Sequence, residues 1–184
     1  VPQIADGIPE HGTEDSPTVE REGGDQVSAH KVWNILGHEF SAIGQWASSI
    51  PHSQPVTEIP TLDGAEVGGR IYAAAVAGFA AVREILTSYD GPSMRFSYKA
   101  TEGQPWFITS AENSWSVSAR GTEACLVESQ AVLEMAWLPG VFFAPLLKVM
   151  VRRVIAQFFE DLKHYAQHDR PSSRKQRAQQ KSSQ

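Results

Sequence analysis

Past Pro139–Gly140 the hydrophobic period of this chain changes. Leu147, Met150, Val151, Val154, Ile155, Phe158, Leu162 and Tyr165 recur at steps of three and four, the spacing of a single long amphipathic helix from about Phe142 to His168. Lys163, His164 and His168 sit at its C-terminal end, where the helix dipole favours positive charge. Upstream the apolar segments are separated by turn sequences: Asp90–Gly91–Pro92, Glu102–Gly103–Gln104–Pro105 and Arg120–Gly121–Thr122. These turns delimit strand candidates at Phe79–Tyr89, Met94–Thr101, Trp106–Ala119 and Glu123–Trp137, the last two reading as a hairpin. Gly64, Gly68 and Gly69 mark another turn, ahead of Arg70–Val76. Strands joined by such short turns pair antiparallel, and a run of strands followed by one thick helix is an α+β arrangement.

The first third supplies the remaining elements. Thr18–Val27 reads as a weak first strand. Ser28 is a good helix N-cap, because its hydroxyl can accept from the unpaired amides of the first turn. The helix it opens carries Val32, Trp33, Ile35 and Leu36 on one side and stops at Gly37. A second short helix, about Glu39–Ala47, presents Phe40, Ile43 and Trp46. Two prolines keep Pro51–Thr57 extended.

Composition narrows the function classes. With 184 residues, 41% of them hydrophobic and 20% charged, the chain suits one folded domain. Its single cysteine, Cys125, excludes an internal disulfide and any multi-cysteine metal centre. We read it as a buried structural thiol, and the reducing compartment it fits makes a cytoplasmic location the expectation. No apolar run approaches the ~20 residues of a membrane span. A removed leader stays open, since the sequence does not begin with Met. Charge is segregated. Residues 1–28 hold seven acids and one base, whereas residues 170–184 hold five bases and no acid. The expected organisation is a flexible acidic lead-in (1–16), a folded domain (17–168) and a disordered basic tail (169–184). No basic–aromatic interleave suggests nucleic acid, and no Gly-rich phosphate loop follows a strand.

An ordered set of residues resembles a known superfamily. It runs Val32–Trp33 with Leu36; Phe40, Ile43 and Trp46; Gly68–Gly69–Arg70; Glu84 with Asp90 six residues on; and a closing helix that ends Asp161–Leu162–Lys163–His164–Tyr165. This is similar to the SRPBCC (START/Bet v 1-like helix-grip) proteins, and most of all to their polyketide cyclase/dehydrase branch. The resemblance covers roughly residues 17–168 and implies a curved antiparallel sheet wrapped around the last helix, with a ligand cavity between them. It also implies which side chains face inward: Arg70, Tyr72 and Ala74 on one strand, Glu84 on the next, then Phe96 and Tyr98. Glu128 and Gln130 follow on the last strand, although the opposite face of that strand, with Cys125, Val127, Ala131, Leu133 and Met135, is the more apolar. Trp106 and Thr109 would join the wall, and Met150, Val154 and Phe158 would close the cavity from the helix. Val76–Ala80 lies where the family carries an entrance loop. Pro105–Trp106–Phe107 stands in place of the hormone receptors' His-Arg-Leu latch, so a hormone-receptor switch is not expected.

Two glutamates, an arginine and two phenols in an apolar chamber suggest acid–base chemistry. If Arg70 pairs with only one glutamate, the carboxyls separate into a proton donor and a proton acceptor. Glu84, Glu128, Arg70 and Tyr98 are then the catalytic candidates of a cofactor-independent cyclase, dehydratase or isomerase. Its substrate would be a polyketide-like or aromatic-sized carbonyl compound. The alternative is a carrier for a small lipid or hydrophobic metabolite, in which Arg70–Glu84 is a buried ion pair and Tyr72 and Tyr98 are packing residues. A protein–protein adaptor is a third option. The expected partner is a small hydrophobic ligand, with no metal and no cofactor, and the chain is expected to be a monomer or homodimer.

Overall fold

Ser28 caps the first helix, as its sequence position predicts: its Oγ accepts from the Lys31 amide at 3.3 Å. The computed structural model of the protein describes residues 21–23, 27–73 and 81–182. Helix α1 (Ala29–Trp33) runs into a wide π turn at Asn34–His38 and then a 3₁₀ turn at Phe40–Gln45. The second short helix therefore has a tighter winding than the regular α-helix expected. These turns bury Val32, Trp33, Ile35, Leu36, Phe40, Ile43 and Trp46.

The strands are β1 (Arg21–Gly23), β2 (Ser53–Pro55), β3 (Gly69–Ala73), β4 (Ala81–Asp90), β5 (Arg95–Glu102), β6 (Ile108–Ala119) and β7 (Cys125–Met135). They form one antiparallel sheet in the order β1-β7-β6-β5-β4-β3-β2. Apart from β1, which pairs with β7, neighbouring strands follow one another in sequence. The expected first strand is described only at Arg21–Gly23, where it pairs with Val127–Cys125 of β7. Residues 1–16 and the Val76–Ala80 loop lie outside the described residues.

Helix α2 (Trp137–His168) closes the fold and buries Ile155, Phe159, Leu162 and Ala166. It starts five residues before the expected Phe142. Pro139 is its third residue, in the first turn, where a missing N–H costs no intrahelical bond. The curved sheet, the closing helix and the short helices make this an α+β helix-grip fold. The C-terminal tail departs from expectation. Residues Ser173–Ser182 form a further helix, α3, and Lys175 on it is wholly buried. A segment without an apolar face reads as disordered by composition; here polar contacts, described below, hold it down.

Register beside the site depends on Gly69. A Cβ there would meet the Glu84 carbonyl oxygen at 2.5 Å, so β3 approaches β4 closely only without a side chain. Gly69→Ala is expected to destabilise the protein by about 1–3 kcal/mol in urea unfolding, the cost typical of overpacking. Gly91→Ala, whose Cβ meets nothing closer than the Tyr89 ring at 3.6 Å, should stay within about 0.5 kcal/mol. Equal effects would refute the close-approach account.

Candidate functional site

Alternation along the strands decides which side chains face α2. On β3 the inward row is Arg70 and Tyr72, and cross-strand register sets Arg70 opposite Glu84 on β4. Arg70 Nε donates to Glu84 Oε2 at 2.7 Å and Nη2 lies 2.6 Å from the same oxygen. Nη1 donates to the Phe40 carbonyl at 2.9 Å, and the guanidinium carbon stands 4.0 Å from the Phe40 ring centroid. The other carboxylate oxygen of Glu84 accepts from the Tyr72 hydroxyl at 2.8 Å. Arg70 and Glu84 are 5% and 6% exposed.

Burial opposes the charge on Arg70, but the Glu84 carboxylate, with Tyr98 and Tyr72 beside it, outweighs that penalty and holds its pKa above the ordinary value. Burial pushes the Tyr72 phenol well up, and Glu84 adds to the shift against Arg70. Tyr98 is raised for the same first reason, with Trp115 and Asn113 working the other way through hydrogen bonds to its oxygen. Both phenols therefore remain protonated donors at neutral pH.

A short relay reaches Tyr98 across the sheet. Ser129 Oγ on β7 donates to Asn113 Oδ1 at 3.0 Å, and Asn113 Nδ2 on β6 donates to the Tyr98 hydroxyl oxygen at 3.2 Å. Tyr98 is thus an acceptor on its protein side, and its own proton is available to the cavity it faces.

That cavity has a volume of about 200 Å³. Arg70, Tyr72, Glu84, Tyr98, Asn113 and Trp115 line it from the sheet, and Met150, Val154, Ile155 and Phe158 line it from α2. Ile43, Ser49 and Ile50 add to the wall. The structure therefore brings together seven of the expected residues: Arg70, Tyr72, Glu84, Tyr98, Met150, Val154 and Phe158.

Other expected residues do not join them. Glu128 and Gln130 stand on the opposite face of β7, because Cys125, Val127 and Ser129 take the inner positions. Glu128 accepts from Ser116 Oγ at 3.2 Å, and Gln130 is exposed. The apolar row of β7 was the better guide to its inner face than the family register. Trp106 is 82% exposed and Thr109 is also exposed, so neither forms wall. Phe96 faces inward but packs between Trp33 and Phe40 as core. Ala74 lies outside the described residues. Asn113, Ser49 and Ile50 went unrecognised, although Asn113 shares the alternation of Trp115 and Val117 and was legible on that ground. Cys125 is buried, and burial pushes its thiol up, which fits a structural role.

Comparison with known proteins agrees with this geometry. The family described as polyketide cyclase / dehydrase and lipid transport matches residues 24–167. No curated protein matches the chain. Among solved structures, a START superfamily protein from Mycobacterium smegmatis superposes with a TM-score of 0.62 at 17% identity, over 82% of this chain and 97% of that one. The protein XoxI from Bacillus cereus gives 0.62 at 16% identity, over 82% and 94%. Norcoclaurine synthase from Thalictrum flavum, in complex with dopamine and hydroxybenzaldehyde, gives 0.54 at 15% identity, over 82% and 87%. At such identities the likeness establishes the shared fold.

Two outcomes follow from the buried network. Arg70→Met leaves the Glu84 carboxylate buried without its cation and should cost about 3–5 kcal/mol. Adding Glu84→Gln should recover a large part of that loss, and a double-mutant cycle in urea showing no coupling would contradict the pairing. The raised phenols give a signed pH effect. In the unfolded chain a tyrosine ionises near about 10, so below that pH the contribution of Tyr72 is complete. Above it the unfolded state releases the proton first and stability falls. Stability measured from pH 9 to 11 should fall more steeply in the wild type than in Tyr72→Phe; parallel slopes would count against a buried phenol.

Proposed function

The chain belongs to the polyketide cyclase/dehydrase and lipid transport family, and from that premise we propose that its cavity receives one small, uncharged, mostly apolar metabolite oriented by a hydrogen bond from Tyr98. The observation that carries this reading is that Tyr98 faces the cavity with its oxygen accepting from Asn113, which leaves the O–H to donate. Asn113 donates to the phenol oxygen, so a ligand carbonyl or hydroxyl oxygen is the complementary group. Around it the chamber is walled by Ile43, Ile50, Trp115, Val154 and Phe158.

Size and charge define the ligand class. An apolar cavity of about 150 Å³ accepts benzene, whereas drug-sized ligands occupy about 300–1,000 Å³. A volume of about 200 Å³ therefore suits one substituted ring better than a long acyl chain or a multi-ring polyketide. Arg70 is already neutralised by Glu84, so a ligand anion would find no unmatched cation among the described lining residues. The norcoclaurine synthase structure, which shares the fold, holds one-ring compounds, in keeping with this size class.

Binding is the reading the geometry favours over acid–base catalysis. The paired-glutamate scheme loses Glu128, and both oxygens of Glu84 are engaged, by Arg70 and by Tyr72. A catalytic reading retains one specific support: Tyr98 and Glu84 face the same chamber, so a donor to a developing enolate oxygen and a carboxylate base share one site.

A titration of 4-fluoroacetophenone followed by ¹⁹F NMR tests the binding reading. Saturable binding is expected, and Tyr98→Phe should weaken it about 3–10-fold, the worth of one hydrogen bond. Binding of 4-fluoroethylbenzene, which lacks the oxygen, should be unaffected by that substitution. No saturable binding of either probe, or equal loss of both, would overturn the proposal. Protein-dependent deuterium exchange of the acetyl protons in D₂O, abolished by Glu84→Gln, would decide for catalysis.

A further inference from the structure

Helix α3 lies beyond the residues shared with the family, which end at 167, yet it reaches back to the cavity wall. It has no apolar face to dock with. Its buried residue is Lys175, with no measurable exposure. The Lys175 ammonium donates to the Ile50 carbonyl at 2.6 Å and the Pro51 carbonyl at 3.0 Å. Ile50 and Ser49 line the cavity, so Lys175 grips the backbone of the wall itself.

The same loop is held from α2. Asp161 is 2% exposed, and its Oδ2 accepts from the Ser48 amide at 2.8 Å and from the Ser48 hydroxyl. Gln157 Nε2 donates to Ser48 Oγ at 2.6 Å. The other oxygen of Asp161 accepts from Ser172 Oγ at 2.7 Å, and Ser172 Oγ in turn accepts from the Lys175 amide at 3.3 Å, capping α3. One buried carboxylate thus joins the loop, α2 and the start of α3. Burial pushes the Lys175 ammonium down to about 8, with Asp161 opposing, as expected for a cation taken out of water to make these contacts.

We infer that α3 is a strap that fixes the Ser49–Ile50 wall of the ligand cavity, with Lys175 as its positioning residue. Its consequence for binding rests on the cavity reading above; the fixing of the wall does not. With α3 docked, the wall is pinned at Ser48 from one side and at Ile50 and Pro51 from the other. With α3 released, the second set of bonds is lost and the cavity is no longer preorganised.

The test uses the full-length chain with Lys175→Met, Ser172→Ala and, as a surface control, Gln180→Ala. Amide exchange at Ser48 and Ile50, where Ile50 donates to the Ala47 carbonyl, reads the wall. The ¹⁹F titration of 4-fluoroacetophenone reads the cavity. Lys175→Met and Ser172→Ala should both accelerate exchange at these amides and weaken the probe roughly fivefold or more, with Gln180→Ala unchanged. Ser172→Ala carries the test alone should Lys175→Met not fold. Unchanged exchange in the folded variants would overturn the strap. Faster exchange with unaltered probe affinity would overturn its role in binding. If the wild type does not bind the probe, the ligand reading fails, while exchange at Ser48 and Ile50 still decides whether α3 holds the wall.

Discussion

The Arg70–Glu84 pair is buried where β3 meets β4, and a buried charge pair dictates much of its surroundings. Desolvating two ions is costly, and the structure tolerates it only where the remaining donors and acceptors are satisfied. Each neighbour here does part of that. The Phe40 carbonyl takes a third guanidinium N–H, the Phe40 ring lies against the guanidinium face, and Tyr72 occupies the second carboxylate oxygen. Through these contacts the pair ties the turn after α1 to two adjacent strands. It also fixes the β3–β4 register, since a slip of one residue by either strand would turn its ion to the other face, away from its partner.

A second polar knot, around Asp161, sits on the helix side of the cavity. It differs from the first in being assembled largely from loop backbone and from a segment the family match leaves out. The two knots bracket the apolar chamber. One defines its floor on the sheet and the other holds the wall at Ser49–Ile50. The greasy lining from α2 and Trp115 completes a space in which Arg70 and Glu84 are committed to each other and Tyr98 accepts from Asn113.

Elements with a strong period were legible in the sequence. The step-three, step-four run of α2, the Ser28 cap, the turns at Asp90–Pro92 and Arg120–Thr122, and the strands between them follow from local rules. The core of the site was legible through the family resemblance instead, which sets Arg70 and Tyr72, then Glu84, then Tyr98 facing inward; β3 alone, with Ile71 and Ala73 on its other row, has no apolar face that marks Arg70 as inward. At β7 the family register conflicts with the strand's own pattern, whose apolar row at Cys125 and Val127 marks the inside and leaves Glu128 on the other face. Helix α3 escaped for a different reason. Nothing in Ser-Arg-Lys-Gln-Arg reports that a buried Asp161 and two loop carbonyls wait for its lysine, and long-range polar contacts leave no periodic trace in a sequence. Ser49 and Ile50 were hidden likewise, since a loop residue's direction is set by what holds the loop.

The neutralised pair also limits the chemistry of the site. A general base must have a lone pair within reach of the proton it removes. Glu84 gives Oε2 to the guanidinium and one lone pair of Oε1 to Tyr72, so only the second lone pair of Oε1 could take a proton without breaking a buried hydrogen bond that the medium does not replace. Tyr98 carries no such debt: its oxygen is occupied by donors, and donation outward completes the relay from Ser129 through Asn113. A donor aimed into an apolar space orients a bound oxygen without altering the proton inventory. On the proposed reading, the same arrangement that makes Arg70 and Glu84 tolerable inside the fold suits the cavity to recognition, with one polar contact setting direction and the surrounding apolar surface supplying affinity.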